Sequence, residues 1–142
     1  MEMQSLIDKS LQMNNFFKTK HQLIFSDFHI SKSLIFSRMN LDNLSYGIIK
    51  NAHLNLFQHF PKPDAIIFLD STIENIMKNI VKRNRSFEKN FKREYIEKLI
   101  KNYNSWIDKQ NTPVLRIDSE GIQFTDNMEL KKRFISLLEF KY

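Results

Sequence analysis

Three short apolar segments, separated by stretches with helical periodicity, restrict the fold of this chain more than any other feature. They are residues 22–26, 65–69 and 114–117, and each leads directly into an aspartate, Asp27, Asp70 or Asp118. Segments that are apolar at nearly every position are typical of strands covered on both faces. Parallel pairing of such strands requires crossover connections, usually helical. The pattern therefore predicts an α/β fold, a parallel sheet with flanking helices.

Helical periodicity is found in five stretches, in which apolar residues recur at intervals of three and four. Ser71 and Glu74 have the spacing of a capping box at the start of the third stretch. The residues expected to face inward are Met3, Leu6, Ile7 and Leu11; Leu44, Ile48, Ala52 and Leu56; Ile73, Ile76, Met77, Ile80 and Val81; Phe91, Tyr95, Ile96, Leu99, Ile100, Tyr103 and Ile107; and Leu130, Phe134, Leu137 and Leu138.

Length and composition exclude several classes of protein. A chain of 142 residues predicts a single domain over residues 1–142. The absence of cysteine excludes disulfides and thiolate chemistry. The early charged residues argue against a secretory signal, and the lack of a long apolar run argues against a membrane span. We therefore expect a cytoplasmic protein. The net charge of +6 indicates an anionic partner, without choosing between nucleotide, nucleic acid and membrane surface.

A cationic segment at residues 82–85 is the first candidate binding site. Lys82, Arg83 and Arg85 lie between two predicted helices. Guanidinium groups bind phosphate oxygens bidentately, so the two arginines could close over the phosphates of a nucleotide. The alternative is a solvated helix end, where the helix dipole favours cations.

The end of the first predicted strand is the second candidate site. Asp27 could accept a hydrogen bond from a sugar hydroxyl or act as a base. It could equally cap the helix that follows, on which Lys32 could reach the same site. The four histidines lack the spacing of metal ligands, so no metal site is expected.

The glycine content excludes one kind of phosphate site. A P-loop needs two glycines five residues apart, followed by Lys and then Ser or Thr. Gly47 and Gly121 are the only glycines, and they are far apart in sequence. Neither a P-loop nor a dinucleotide-binding GxGxxG motif can therefore form within these 142 residues.

Three blocks of this sequence together resemble the deoxynucleoside kinases. They are IFSDFHISKSLIFSRMNL at residues 24–41, PKPDAIIFLD at residues 61–70, and residues 80–106 with KRNRSFEKN and REYIEKLIKNYNSW. The resemblance implies a P-loop-kinase-like three-layer fold, phosphorylation of a deoxynucleoside 5′-hydroxyl, and ATP with Mg as cofactors. It is strongest for bacterial enzymes specific for deoxyadenosine or deoxyguanosine.

The resemblance also assigns roles to particular residues. Arg83 and Arg85 match the family's phosphate-binding lid arginines, Lys82 flanks them, and Asn84 replaces the usual glycine between them. Asp27 stands where an arginine often stands in the family, and Lys32 stands where an aspartate often stands, which suggests an ion pair with its charges exchanged. We expect both residues to belong to the substrate-binding site. Glu2 aligns with a base-reading glutamine.

The family's P-loop region has no counterpart here, so the resemblance implies an incomplete, N-terminally truncated domain. It would be inactive alone, and either a homodimer or a complementing P-loop-bearing chain would be its partner. The alternative is a non-catalytic nucleotide- or nucleic-acid-binding protein that uses the basic lid, although the placement of the aromatic residues in apolar stripes does not favour nucleic acid. A thymidylate kinase is disfavoured by the SDF and KSLIF motifs.

Overall fold

The structure, a computed structural model, describes residues 2–20, 24–85, 91–120 and 127–139. The elements in chain order are α1 (Glu2–Phe17), α2 (Lys32–Asn40), α3 (Asn43–Phe57), β1 (Ile66–Asp70), α4 (Ile73–Arg83), α5 (Arg93–Ile107), β2 (Val114–Asp118) and α6 (Met128–Glu139). The chain divides into two compact units, Met1–Pro61 and Lys62–Tyr142. The single domain over residues 1–142 stays a prediction.

The first unit is built from α1, α2 and α3. Leu6, Ile49 and Phe57 form its buried core, surrounded by partly buried apolar side chains. Asp42 is the N-cap residue of α3, and its carboxylate accepts a hydrogen bond of 2.9 Å from the backbone N–H of Ser45. That interaction holds the pKa of Asp42 below its usual value.

The strand predicted at residues 22–26 is not found in its described part. Residues 24–26 have no strand assignment, and Phe25 is 73% exposed. The Ser26 hydroxyl accepts from the Phe28 N–H (3.3 Å) and donates to the Phe28 carbonyl (2.7 Å). This local turn competes with ladder pairing for the backbone groups. Residues 22 and 23 lie outside the described residues.

The predicted inward faces of α1 and α3 are right in part, since Leu6 is buried and Met3, Ala52 and Leu56 pack against the core. Ile7 and Leu11 are exposed on α1, whose buried residues are Leu6 and Ser10. Leu44 and Ile48 are exposed on α3, whose buried residues are Ile49, His53 and Phe57. One residue rotates the helix face by about 100°, and both helices carry apolar residues on more than one side. Periodicity alone therefore fits two faces.

The second unit contains the sheet. β1 and β2 pair in parallel, with Ile66 opposite Val114 and Asp70 opposite Asp118. This confirms the strands predicted at residues 65–69 and 114–117 and, for the described residues, a helix-rich α/β fold with a parallel two-stranded sheet. Leu115 and Ile117 pack with Leu130 of α6, against which Phe134 and Leu137 also lie. The side chain of Leu138 and residue Asp126 lie outside the described residues.

The beginning of α4 differs from the predicted capping box. Thr72 is the N-cap residue, and its hydroxyl accepts a hydrogen bond from the Asn75 N–H. The Ser71 hydroxyl instead accepts from the Asn75 side chain, and Glu74 binds Arg93. The threonine captures the cap because it lies directly before the first helical residue. Val81, expected to face inward, is 75% exposed.

Candidate functional site: two cationic regions in separate units

The carboxyl ends of the two strands are fastened by the turn that follows β2. Ser119 donates to the Asp70 carbonyl through its N–H (2.8 Å) and its hydroxyl (2.7 Å). The Glu120 carboxylate accepts from the Thr72 N–H (2.9 Å) and from the Thr72 hydroxyl. Thr72 precedes α4, so the same turn holds the beginning of that helix. These contacts fix where α4 starts relative to the sheet edge.

Arg116 connects β2 to α5 from the centre of the strand. Its guanidinium donates to Asn104 Oδ1 (2.7 Å) and Asp108 Oδ1 (2.8 Å), and lies 3.6 Å from Asp70 Oδ2. It also lies 5.3 Å from the centroid of the Phe68 ring. Asp70 in turn accepts from the Ser71 N–H at 3.0 Å. Asp70 therefore serves in the structure as a hydrogen-bond and ion-pair partner at the end of β1.

The candidate lid residues stand at the far end of α4. Lys82 and Arg83 are its last two residues, and both are exposed, as is Arg85. Between the arginines, Asn84 adopts the left-handed conformation (φ 51°, ψ 33°), and its N–H donates to the Ile80 and Val81 carbonyls. Glycine adopts these angles at lower cost, and asparagine is among the residues that tolerate them best. The turn therefore has the geometry expected when asparagine replaces glycine.

The chain returns to the beginning of α4 after this turn. Arg93, the first residue of α5, donates to Glu74 at 2.7 Å and to Glu97 at 3.0 Å. This contact lowers the pKa of the Glu74 carboxyl and raises the pKa of Arg93. Because Glu74 lies in the first turn of α4, the connection from Asn84 to Lys92 starts at one end of that helix and finishes at the other. Residues 86–90 of it lie outside the described residues.

Asp27 and Lys32 both belong to the first unit. Asp27 lies in an exposed bend rather than at the end of a described strand. Lys32 is the first residue of α2, and its Nζ lies 6.0 Å from the centroid of the Phe36 ring. The ion pair suggested for these two described residues is not formed, because none of the ion pairs within the described parts of the chain joins them. Their role in substrate binding stays a prediction.

Lys9 is a cation that the sequence interpretation missed. Its Nζ donates to the Ser33 hydroxyl at 3.1 Å and lies 5.4 Å from the centroid of the Phe28 ring. Burial lowers the pKa of Lys9, and the charge of Lys32 lowers it further. The available signal was its position three residues after Leu6, on the same helix face. Lys9 therefore adds a second positive charge beside Lys32.

Glu2 opposes that concentration of positive charge. Its carboxylate raises the pKa of Lys9 and accepts a hydrogen bond from the Ser37 hydroxyl at 3.5 Å. The pair Glu2 and Ser37 therefore joins α1 to α2, as Lys9 and Ser33 do. The alignment of Glu2 with a base-reading residue is not tested by these contacts.

Each unit therefore presents cations suited to an anionic ligand. Within the described residues, no three or more His, Asp or Glu side chains gather in a way that could hold a metal ion. In the same part of the chain, no helix is long and apolar enough to cross a membrane.

Comparison with known proteins identifies the class. The deoxynucleoside kinase family model matches residues 1–140. The chain therefore belongs to the deoxynucleoside kinase family, which confirms the resemblance drawn from the three sequence blocks.

Individual relatives agree with this class. The chain is 30% identical over 116 residues to a deoxyguanosine kinase of Bacillus subtilis (strain 168), covering 78% of this chain and 56% of that enzyme. It is 26% identical over 145 residues to a deoxyadenosine kinase of Lactobacillus acidophilus, covering 92% and 66%. It is 32% identical over 94 residues to a deoxyadenosine/deoxycytidine kinase of B. subtilis, covering 61% and 43%. The chain spans 43% to 66% of the length of these relatives.

Proposed function

We propose that this chain carries the lid and part of the substrate site of a deoxynucleoside kinase, which transfers phosphate from ATP to a deoxynucleoside 5′-hydroxyl. The observation that carries the proposal is the family match over residues 1–140. A P-loop-kinase-like three-layer fold, a cytoplasmic location and assembly as a homodimer are part of the same proposal.

The cations at the end of α4 would bind the phosphates. Phosphoryl transfer depends mainly on positioning and on neutralising charge on the phosphate oxygens. Arg83 and Arg85 would each offer a planar fork of donors, with Lys82 beside them as a point charge. The left-handed turn at Asn84 supports this role, because it ends the helix between the two arginines and leaves both exposed.

The deoxynucleoside would bind at the first unit. Asp27 would accept a hydrogen bond from a sugar hydroxyl, and Lys32 would contact the substrate from the beginning of α2. Mg would enter with ATP, held by the phosphate oxygens. We assign it no protein ligand.

We expect these 142 residues alone to catalyse no phosphoryl transfer. They contain no P-loop, since Gly47 and Gly121 are too far apart to form one. Without the backbone donors and lysine of that loop, the β- and γ-phosphates lack their main binding groups. A P-loop outside these 142 residues would have to supply them.

The proposal is tested first by a phosphorylation assay on the purified chain, with ATP, Mg and each common deoxynucleoside. We expect no product. Nucleotide binding is then measured by the shift in melting temperature, since a ligand that binds only the folded chain raises it. Arg83→Ala and Arg85→Ala should each weaken ATP binding about tenfold, as expected for losing a charged hydrogen bond.

Lys98→Ala is the matched control, because Lys98 is an exposed cation of α5 in the same unit. It should leave ATP binding unchanged. Turnover by the isolated chain would contradict the requirement for a separate P-loop. Equal ATP affinity in all three variants would contradict the role of the arginines.

A non-catalytic binding protein is the second candidate, favoured by the exposure of Lys82, Arg83 and Arg85 and by the net charge of +6. It predicts binding of single-stranded nucleic acid that weakens steeply with salt and with loss of the arginines. Binding of ATP in preference to an oligonucleotide of equal charge would exclude nucleic acid as the ligand of this second candidate.

A further inference from the structure

Two histidines hold the turn that leads into α2. The Ser31 N–H donates to His29 Nδ1 at 3.1 Å, and His53 Nε2 lies 3.2 Å from the Ile30 carbonyl oxygen. The backbone of the turn is closed by the Lys32 N–H, which donates to the His29 carbonyl at 3.0 Å. One imidazole therefore accepts from the turn, and the other donates to it.

The partners fix the protonation state of both rings. His29 Nδ1 must be unprotonated, because the Ser31 N–H it faces is itself a donor. His53 Nε2 must carry its proton, because a carbonyl oxygen only accepts. His53 Nδ1 is buried without a hydrogen-bond partner in a residue that is 7% exposed, which favours the neutral ring with a bare Nδ1, because a proton there would have no acceptor. Both rings are neutral while the turn is closed.

We propose that His29 and His53 make the turn at residues 29–32 a proton-sensitive element that opens when either ring is protonated. A proton on His29 Nδ1 would place an N–H of the ring opposite the Ser31 N–H. Two donors cannot bond to each other, so the hydrogen bond to Ser31 would be lost. A proton on His53 Nδ1 would place a charged donor in a buried position without an acceptor. The proton on His29 removes a bond of the turn, whereas the proton on His53 destabilises the buried ring that donates to the Ile30 carbonyl.

The surroundings of the two rings also favour their neutral forms. Burial lowers the pKa of His29, and the proximity of His53 lowers it further. Burial also lowers the pKa of His53, the bond to the Ile30 carbonyl partly offsets this, and the charge of Lys9 on α1 lowers it again. Lys32 and Glu2 act on Lys9 with opposite signs. Of these groups only Glu2 is acidic.

The sign of the pH dependence follows. The closed turn binds fewer protons than the open turn, in which histidine has its ordinary pKa of about 6.5. The closed state is therefore fully favoured above about pH 6.5 and is lost as the pH falls below it. Asp27 lies just before this turn and Lys32 at its end, so acid would also weaken deoxynucleoside binding. That last consequence rests on the proposed function.

The test is amide hydrogen exchange of the ligand-free 142-residue chain between pH 5 and pH 8, corrected for the intrinsic exchange rate. The reporters are the N–H groups of Ser31, Leu34 and Ile35, of which the last two donate to the Ser31 carbonyl. We expect the opening constant to rise up to tenfold per pH unit below about 6.5 for each proton bound.

Three variants localise the effect. His53→Gln keeps an amide donor for the Ile30 carbonyl, and His29→Asn keeps an acceptor for the Ser31 N–H, while neither side chain titrates. Each should reduce the pH dependence, and the double variant should abolish it. His59→Gln is the control, since His59 is exposed on the same unit, and it should retain the full dependence.

Exchange in the parent chain that does not change with pH would overturn the proposal, and this result does not depend on any variant folding. Undiminished pH dependence in the double variant would overturn it as well. The experiment uses no nucleoside or ATP, so its failure is distinguishable from failure of the proposed kinase function.

Discussion

The two units of this chain differ in whether their polar contacts are buried or exposed. Among the described residues, the buried polar side chains all lie in Met1–Pro61, and they are Ser10, Ser33, Ser37 and His53. In Lys62–Tyr142 the buried residues are apolar, and they are Ile66, Ile96, Ile107, Leu115, Ile117 and Leu130. The ion pairs of the second unit instead join partly or largely exposed side chains.

This difference separates the forces on which each unit depends. A buried hydrogen bond that is broken leaves its partner unsatisfied, which costs about 1–3 kcal/mol. An exposed ion pair replaces contacts with water by a contact within the protein, and it contributes about 0–1 kcal/mol to the free energy of unfolding. The first unit should therefore respond to pH and to side-chain volume at its helix contacts, and the second mainly to loss of apolar volume.

The largest expected effect is loss of a core side chain in the second unit. Ile117 of β2 is 1% exposed, and it packs with Leu115 and Leu130. Ile117→Ala should lower the free energy of unfolding by about 2–5 kcal/mol, because it removes buried methyl groups and leaves a cavity. Denaturant unfolding measures this.

Ile135→Ala is the control for that change. Ile135 lies on α6 and is 54% exposed, so the same chemical truncation should cost far less. Similar losses for the two variants would mean that burial on this sheet face does not dominate the second unit.

A smaller effect is expected where α1 and α2 meet. Ser37 is fully buried, and its hydroxyl lies 3.5 Å from Glu2 Oε2. Ser37→Leu should reduce the free energy of unfolding by about 1–3 kcal/mol, because the added carbons overpack a contact built for a small residue. Thermal unfolding at neutral pH measures it.

Ser37→Ala separates volume from hydrogen bonding. The 3.5 Å bond to Glu2 is long, so its removal should cost less than the added volume of leucine. An alanine variant as unstable as the leucine variant would show that the hydrogen bond, and not the small side chain, maintains this contact.

The second unit was also the one that its sequence predicted better. Its strands are continuously apolar, and a short apolar segment that ends in a polar turn has few alternatives to strand structure. Residues 65–69 and 114–117 therefore indicated β1 and β2 to within one residue. The cap was missed because Ser71 and Thr72 are adjacent and both can cap a helix.

The first unit was harder to predict for a physical reason. Its helix contacts include serines and a histidine, so the buried faces of α1 and α3 are only partly apolar, while Ile7 and Ile48 are exposed. The sequence IFS at residues 24–26 has the composition of a strand, whereas the Ser26 hydroxyl bonds locally to Phe28. A contact between residues distant in sequence, such as Lys9 with Ser33, has no local signature.

The candidate site divides in the same way. The turn at Asn84 could be expected from the resemblance, because Asn84 stands where the family usually has glycine and the turn depends on adjacent residues. The surroundings of Asp27 and Lys32 could not, because they depend on α1 and α3. The roles of Lys82, Arg83, Arg85, Asp27 and Lys32 stay predictions until binding is measured.

The smallest effect is expected from the exposed ion pairs of the second unit. Arg93→Gln breaks the contacts with Glu74 and Glu97, but Arg93 and Glu74 are 55% and 68% exposed. We expect a change in melting temperature below about 2 °C, since water replaces most of the interaction. Raising the ionic strength from about 0.05 M to about 0.5 M should remove even that difference.

Arg116→Gln is the comparison within the same unit, and it should lower the melting temperature more, because Arg116 also binds Asn104 and lies over Phe68. If Arg93→Gln proved the more damaging of the two, surface charge would be maintaining the α4–α5 contact, and the contrast between the units would have to be drawn from their cores alone.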